Sequence, residues 1–274
     1  MKLGIDSYSY HLNLGQYEYH PTQPKDVRWL LNRAAKLGVQ GVMLMDLGDD
    51  LSDDRLQSIR NEADRLDLYV ELGGGDTNPE SVAHDLTVAT KLGAGVIKIT
   101  ERVDRWSKTM SLHDQLQQVV ANLREVASLA QKTGIRLAVE NHGRLTASEH
   151  LWVIERVASD YVGFCLDTGN SLLLQEDPVA TSTMMAPYAF TTHFKDAAFR
   201  GTPYGAEILH VGLGRGALDL PTLFKIIKAL APDPNINIEV VSAPCDSEEQ
   251  SLAEEDETVA SSVRYARETL GITA

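Results

Sequence analysis

Short apolar runs alternate with helix-like stretches from one end of the chain to the other. The apolar runs are rich in Val, Ile and Leu and predict eight strands. The strands cover residues 3–8, 39–45, 68–72, 96–100, 135–141, 161–166, 189–194 and 236–241. Helices are predicted over 24–37, 52–66, 78–92, 112–132, 178–185, 220–230 and 248–270, and one more begins at 146.

The ends of several predicted helices carry recognisable capping residues. Asn78 followed by Pro79 combines an N-cap residue with a proline at the first helical position. Thr146 and Glu149 have the spacing of a capping box. Gly134 follows the long helix over 112–132 and is expected to end it.

The alternation of strands and helices favours a single α/β domain over residues 1–274, a closed (β/α)₈ TIM barrel. Each of the eight units averages about 34 residues, which is the size of a βα unit. No linker rich in Ser, Gly or Pro and no block of like charge interrupts the series. An unbroken series of eight favours the closed barrel over an open doubly wound sheet, which is kept as the alternative.

Alternation within the strands separates polar from aliphatic positions. Successive side chains of a strand point to opposite faces. In the run 236–241, Asn237 and Glu239 share one face and the aliphatic residues share the other. The aliphatic face suits the covering helices, so the polar face should point into the barrel. The residues predicted to point inward are Lys98, Glu140, Asp167, His193 and Glu239.

Composition limits the classes of partner. The net charge is −14 and the sequence pI is near 5.0, so nucleic acid should be repelled. The two cysteines form no Cys-x-x-Cys pair, which favours reduced thiols in a cytoplasmic protein. No apolar run approaches the roughly 18 residues of a membrane helix, and the first residues do not resemble a signal peptide. We expect a soluble protein with no membrane partner, and retain a homo-oligomer as a hypothesis.

Four side chains near the ends of the last four predicted barrel strands carry acid–base or metal-binding groups. They are Glu140, Asp167, His193 and Glu239. Each alone has an ordinary explanation, since a carboxylate can cap the next helix and a single His can lie in a core. Three buried carboxylates together would repel one another without a counter-ion. Oxygen-rich ligands with one imidazole suit Mn²⁺, Mg²⁺, Co²⁺ or Zn²⁺.

The four residues belong to a set of longer motifs, Val139-Glu140-Asn141-His142, Leu166-Asp167-Thr168-Gly169-Asn170, Glu176-Asp177-Pro178, His193-Phe194-Lys195-Asp196, Gly212-Leu213-Gly214-Arg215-Gly216-Ala217-Leu218-Asp219 and Ile238-Glu239. In these motifs the chain resembles the sugar phosphate isomerases/epimerases, which are xylose isomerase-like TIM barrels, and the likeness covers essentially the whole chain. The resemblance implies that Glu140, Asp167, His193 and Glu239 bind one divalent metal ion, with Mn²⁺ as the first choice. It also implies that Glu140 and Glu239 move protons on either side of the substrate.

Two positions depart from the family's pattern. Ketose epimerases of the family have a His three residues after the strand-six Asp, where this chain has Asn170. The loop after strand seven usually reads Gly-Glu-Gly, and here Arg215 replaces the glutamate. Asn170 followed by the Glu-Asp-Pro at 176–178 resembles a branch that includes lyases of oxidised sugars. Both departures weaken the prediction of a simple ketose epimerase.

Five further polar residues are predicted to contact the substrate. They are His142, Asn170, Lys98, Lys195 and Arg215. Lys98 and Lys195 have inward parity and suit a carboxylate or phosphate, although Lys195 has its neighbour Asp196 as an alternative partner. Arg215, in a glycine-rich loop, suits an anionic group or is a solvated surface charge.

The favoured function is that of a divalent-metal-dependent isomerase or epimerase, acting on a small sugar or keto-sugar through an enediolate. The alternative is a lyase of the same superfamily: a decarboxylase, a dehydratase or an enzyme that cleaves C-glycosides or keto-glycosides. Such a lyase would act on an oxidised sugar or a keto-sugar acid. A phosphodiester nuclease would need more histidines and a basic groove, which the net charge of −14 disfavours. A non-catalytic barrel would bind sugar without moving its protons.

Overall fold

Eight parallel strands close into a barrel in the computed structural model, which describes residues 1–272. In chain order, the described residues form ten strands, which include the eight of the barrel: β1 (Leu3–Asp6), β2 (Gly41–Leu44), β3 (Tyr69–Asp76), β4 (Val96–Thr100), β5 (Arg136–Glu140), β6 (Val162–Asp167), β7 (Ala189–Phe194), β8 (Asp196–Thr202), β9 (Gly205–Val211) and β10 (Asn235–Ile238). All except β8 and β9 belong to the barrel, which closes where β1 pairs with β10. The predicted TIM barrel is confirmed, and the open sheet is wrong. The predicted domain, 1–274, also includes Thr273 and Ala274, which lie outside the described residues.

Helices connect the strands and pack against the outside of the barrel. They are α1 (His11–Leu14), α2 (Val27–Leu37), α3 (Asp53–Arg65), α4 (Pro79–Leu92), α5 (Leu112–Thr133), α6 (Ala147–Val157), α7 (Pro178–Met185), α8 (Leu220–Leu230) and α9 (Glu248–Glu268). Asn78 caps α4 as predicted, and Thr146 and Glu149 form the capping box of α6. Gly134 ends α5 with a φ of 72°, in the left-handed region. Among the described helices, none is long and apolar enough to cross a membrane.

The first strand is shorter than the predicted run over 3–8. The Asp6 carboxylate accepts a hydrogen bond from the Tyr8 backbone N–H at 2.6 Å and caps a 3₁₀ helix over Ser7–Tyr10. An aspartate that bonds to the backbone two residues ahead competes with strand pairing. The chain therefore turns directly after Asp6, and this carboxylate stays at the end of β1.

The third strand is longer than the sequence predicts. It continues through Gly73 and Gly74, with an irregular register against β4. A Cβ atom at Gly73 would lie 2.4 Å from Sδ of Met45, and one at Gly74 would lie 2.5 Å from Oδ2 of Asp85. The glycines allow a close approach between neighbouring segments rather than a turn.

The segment after β7 is an antiparallel hairpin, where the sequence predicted only a glycine-rich loop. Strands β8 and β9 pair along their length, with Asp196 opposite Val211. The buried Asp196 side chain also accepts backbone N–H bonds from Gly214 at 3.0 Å and from Gly216 at 2.9 Å. One carboxylate therefore holds the glycine-rich loop against the base of the hairpin.

The inside of the barrel is layered. Its apolar layer consists of Met43, Val96, Ala138 and Cys165. Nearer the N-terminal ends of the strands, Glu71 accepts hydrogen bonds from Thr191 at 2.6 Å, Asn235 at 2.7 Å and Asn237 at 2.8 Å. Aliphatic residues of the opposite parity, such as Val139, pack against the helices. The inward face of the strands thus supplies both an apolar layer and a polar layer, while the aliphatic face of opposite parity packs against the helices.

The Glu71 hydrogen bonds predict a large loss of stability when this residue becomes alanine. The change leaves the Asn235 amide and the Thr191 hydroxyl without this acceptor and the Asn237 amide with Oγ1 of Thr191 alone, and each buried group without an acceptor costs about 1–3 kcal/mol. We expect Glu71→Ala to lower the free energy of unfolding by about 3 kcal/mol or more in urea denaturation. Glu155→Ala, at an exposed position of α6, should change it by less than about 0.5 kcal/mol. Equal small effects of both variants would contradict the role given to Glu71.

The side chain of Glu101, directly after β4, is fully buried, whereas the backbone carbonyl of this residue accepts a hydrogen bond from Arg144 at 2.7 Å. Neither carboxylate oxygen has a hydrogen-bond partner within residues 1–272, and Nε2 of His150 lies 4.0 Å from Oε1. Burial raises the pKa of Glu101 to about 8 and lowers the pKa of His150 to about 4. Both side chains are therefore mainly neutral at pH 7.

The raised pKa of Glu101 predicts a pH-dependent stability. The folded protein holds the proton more tightly than the unfolded chain, whose carboxyl group has a pKa of 4.5. The resulting stabilisation is complete below that value and is lost as the pH rises through about 8. Between pH 5 and pH 9, the free energy of unfolding of the wild type should fall by about 4 kcal/mol relative to Glu101→Gln. Urea denaturation across this range measures the difference, and parallel curves would contradict it.

Candidate metal centre

The ends of four barrel strands bring together Glu140, Asp167, His193 and Glu239. One ligand atom from each residue can be chosen so that all four atoms lie within 4.8 Å of one another, and all four side chains are buried. Glu140 ends β5, Asp167 ends β6, and Glu239 follows β10. The pairing of β6 with β7 places Asp167 directly beside His193. The four residues that the sequence singled out therefore form one cluster at the C-terminal end of the barrel.

The His193 ring joins the cluster to a fifth buried side chain, Asp6. Its Nδ1 lies 2.9 Å from Oε1 of Glu140 and 2.9 Å from Oε2 of Glu239. Its Nε2 lies 3.1 Å from Oδ2 of Asp6. A carboxylate that pairs with the ring nitrogen not used for metal binding fixes the tautomer and orientation of the imidazole. Asp6 was not among the predicted site residues, although strand alternation puts it on the inward face of β1, opposite to Leu3 and Ile5.

Asp167 is held rigidly by the backbone around it. Its Oδ1 accepts N–H bonds from Gly169 and Asn170, both at 2.8 Å. Oδ1 of Asn141 accepts a hydrogen bond from the backbone N–H of Asp167 at 2.8 Å, and Nδ2 of Asn141 donates one to the backbone carbonyl oxygen of Asp167 at 2.9 Å. These bonds leave Oδ2 as the oxygen that faces the cluster.

Two buried lysines lie against the carboxylates. Nζ of Lys98 is 2.8 Å from Oε2 of Glu140. Nζ of Lys195 is 2.8 Å from Oδ2 of Asp167 and 2.9 Å from Oε2 of Glu239. Lys195 does not pair with its neighbour Asp196, so that alternative is wrong. Only 6% of Lys98 and 4% of Lys195 is exposed, so both ammonium groups belong to the buried centre.

Charge and burial act in opposite directions on the pKa values of the centre. Burial opposes ionisation of Lys195, but Asp167 and Glu239 outweigh it and raise the lysine's pKa. Burial also opposes ionisation of Glu140, but Lys98 and His193 hold the pKa of this glutamate well below its usual range. For Asp167 burial dominates and raises the pKa to about 6. The centre therefore combines ionised glutamates with ammonium groups.

The donor atoms fit a divalent cation. Oε2 of Glu140, Oδ2 of Asp167 and Oε2 of Glu239 are buried and form no hydrogen bond within residues 1–272, although lysine ammonium groups lie near them. Three such oxygens and one imidazole nitrogen are a ligand set for Zn²⁺, Mn²⁺ or a similar ion. The cluster could bind a metal ion through these residues.

The remaining predicted substrate residues differ in their placement. Nδ2 of Asn170 donates to Oε1 of Glu140 at 3.4 Å, which joins it to the cluster. His142 lies on the loop after β5 with part of its surface exposed, and its pKa is lowered by partial burial of the ring and by the charges of Lys98 and Lys195, against the opposing charge of Glu140. Arg215 is exposed and forms no side-chain hydrogen bond or ion pair within residues 1–272. Its predicted contact with the substrate stays a prediction.

Comparison with curated proteins gives relatives of similar length. The chain is 25% identical over 236 residues to the 3-oxo-isoapionate decarboxylase of Pectobacterium atrosepticum, covering 83% of this chain and 81% of the relative. It is 23% identical over 234 residues to the uncharacterized protein YihM of Escherichia coli, covering 85% of this chain and 70% of the relative.

Solved structures share the fold at low identity. A D-psicose 3-epimerase determined with D-fructose has a TM-score of 0.75 at 18% identity and covers 99% of this chain and 100% of its own. The D-psicose 3-epimerase of Clostridium cellulolyticum H10, determined with D-tagatose, has a TM-score of 0.77 at 16% identity and coverage of 98% and 99%. An IOLI protein with a bound zinc atom has a TM-score of 0.73 at 16% identity and coverage of 99% and 98%.

The family-level comparison agrees with the fold. The protein-family model for the xylose isomerase-like TIM barrel matches residues 31–268 of this chain, and these residues include all four members of the cluster. The family resemblance seen in the sequence is therefore confirmed. The chain belongs to the xylose isomerase-like TIM barrel family.

Proposed function

We propose that this protein is a divalent-metal-dependent isomerase or epimerase of a small sugar or keto-sugar. The observation that carries the proposal is the convergence of Glu140, Asp167, His193 and Glu239 in one buried cluster, where two lysine ammonium groups offset only part of the carboxylate charge. Three buried carboxylates of this kind are costly in a merely structural role. Sugar epimerases among the structures of the same fold support a carbohydrate substrate.

Glu140 and Glu239 are the proposed proton-transfer groups. The strand order β10-β7-β6-β5 puts Asp167 and His193 between them, so the two glutamates reach the centre from different sides. One glutamate removes a proton from carbon next to the carbonyl and the other returns it. A divalent ion held by the four residues would polarise the substrate oxygens and stabilise the developing negative charge. Asn170 positions Glu140 through the hydrogen bond to its Oε1.

Lys98 and Lys195 favour a second candidate, a lyase that acts on a keto-sugar acid. Counted as ionised, the side chains of Asp6, Glu140, Asp167 and Glu239 carry four negative charges at the centre, although burial raises the pKa of Asp6. The two lysines and a divalent ion carry four positive charges, so the loaded centre is neutral before substrate binds. Without the lysines it would repel a carboxylate. The relative named as a 3-oxo-isoapionate decarboxylase also supports this candidate.

Metal binding is the first test of the proposal. The purified protein should bind one divalent ion per chain, and loading should raise Tm, since an ion at 100 times its Kd stabilises the folded state by about 2.7 kcal/mol. Chelation should reverse the change, and affinity should weaken at low pH because protons compete for the ligands. Asp167→Asn and His193→Ala should weaken binding, as measured by calorimetry. The exposed Asp160→Asn serves as the matched control, and unchanged affinity in all three variants would contradict the site.

Proton exchange tests the proposed chemistry. The metal-loaded protein is incubated in D₂O with ketoses, keto-sugar acids and keto-glycosides, and deuterium at carbon is measured by NMR. Glu140→Gln and Glu239→Gln should each slow exchange by at least about 100-fold, because a general base contributes that much or more. Glu155→Gln, on the exposed face of α6, should exchange at the wild-type rate.

The outcomes distinguish the candidates. Deuterium incorporation with a new sugar isomer supports the isomerase or epimerase, and CO₂ release from a keto-sugar acid supports the lyase. Exchange at the wild-type rate in both glutamate variants would contradict the assignment of the bases. Sugar binding without exchange by the wild type would support the non-catalytic sugar-binding barrel instead.

A further inference from the structure

The β8–β9 hairpin is attached directly to the candidate metal centre. Its first residue, Asp196, follows Lys195, whose ammonium group contacts Asp167 and Glu239. The hydrogen bonds from the glycine-rich loop to the Asp196 carboxylate fix the base of the hairpin. The position of the hairpin relative to the centre is therefore set by its connection and by this carboxylate.

One face of the hairpin is turned towards the centre. Lys195 points into the barrel, Asp196 points to the glycine-rich loop, and Ala197 returns to the side of Lys195 by the alternation of strands. His210 of β9 lies opposite Ala197, and cross-strand partners share a face. Ala197 is buried, with only 1% of it exposed, and His210 is half-buried.

His210 lies within the electric field of the centre. Burial lowers its pKa to about 4, and the positive charge of Lys195 acts in the same direction. Glu239 and His142 also act on this pKa, so His210 is near a proposed base and a predicted substrate residue. The imidazole is neutral at pH 7 and offers one hydrogen-bond donor and one acceptor.

The Nδ1 atom of His210 has no hydrogen-bond partner. It is buried, and no polar atom of residues 1–272 bonds to it. Buried polar atoms of native proteins are normally paired, so an unpaired one beside an active centre indicates a group that a ligand satisfies. His210 is outside the four-residue cluster, so the metal ion does not account for it.

We propose that His210 is a substrate-binding residue, which hydrogen-bonds to an oxygen of the sugar beyond the carbon atoms that react at Glu140 and Glu239. The ligand is a neutral hydroxyl or carbonyl oxygen, because a neutral imidazole gives no charge attraction to a carboxylate. An anionic group would instead bind beside Lys195. This inference rests on the proposed function in one respect, that the ligand is a sugar.

The test uses three variants of the metal-loaded protein. His210→Ala removes the hydrogen bond, and His210→Gln keeps a side chain that can donate and accept one. Glu207→Gln changes an exposed residue of β9 on the opposite face, where Glu207 pairs with Arg200. D-fructose and D-tagatose binding is measured by calorimetry, and proton exchange by NMR in D₂O.

His210→Ala should weaken sugar binding and raise KM about tenfold, because a neutral hydrogen bond accounts for about that factor. The kcat for exchange should change less than KM. His210→Gln should recover most of the affinity, and Glu207→Gln should bind as the wild type does. Bound metal and Tm should stay unchanged in all three variants, which excludes a merely structural role for His210.

Four outcomes would overturn the inference or separate it from the proposed function. Sugar affinity of His210→Ala within twofold of wild type would overturn it. Loss of metal or of folding in His210→Ala, with no recovery in His210→Gln, would also overturn it by making His210 structural. A wild type that binds these sugars without exchange would contradict the proposed function but still test His210 through Kd, and no binding at all would contradict both.

Discussion

Several carboxylates cannot share the buried end of a barrel without positive charge close to them. Asp6, Glu140, Asp167 and Glu239 all contact or approach the single ring of His193, in a place where water is largely excluded. Lys98 and Lys195 supply part of the missing charge at distances below 3 Å. The rest is what a divalent ion would bring. This electrostatic constraint explains why lysines, histidine and acids occur together on inward positions of strands from opposite sides of the barrel.

Buried acids in this chain fall into different physical classes. Glu71 has three hydrogen-bond donors around it and needs no ion, so it closes the inside of the barrel as a structural group. Glu101 has no donor and is instead kept protonated by burial. Glu140 and Glu239 remain ionised although each has an oxygen without a hydrogen bond. Only this last class has both charge and free lone pairs, which is what metal binding and proton transfer require.

The unbroken series of eight strand and helix units predicted the barrel, and the period of two within each strand predicted its inward residues, because both can be counted along the chain. The position of Asp6 was missed because the first strand was predicted past the residue that ends it. The hairpin was missed because half-exposed strands lack a continuous apolar run, and residues such as Gly201 and Glu207 are typical of loops in sequence. The partner of Lys195 could not be predicted either, since a long side chain can reach a neighbouring residue or the next strand, and only the three-dimensional packing decides.

In the proposed function, the lysine contacts also link the binding of the metal ion to the binding of the substrate. As the structure stands, the Lys195 ammonium group is already shared between Asp167 and Glu239, so it has little charge left for a substrate carboxylate. A cation bound to the same oxygens would compensate their negative charge, and Lys195 would then be free to pair with an anion. Metal binding should therefore precede the binding of an anionic substrate. A neutral sugar has no such requirement at Lys195, because His210 is uncharged and its Nδ1 is already without a partner.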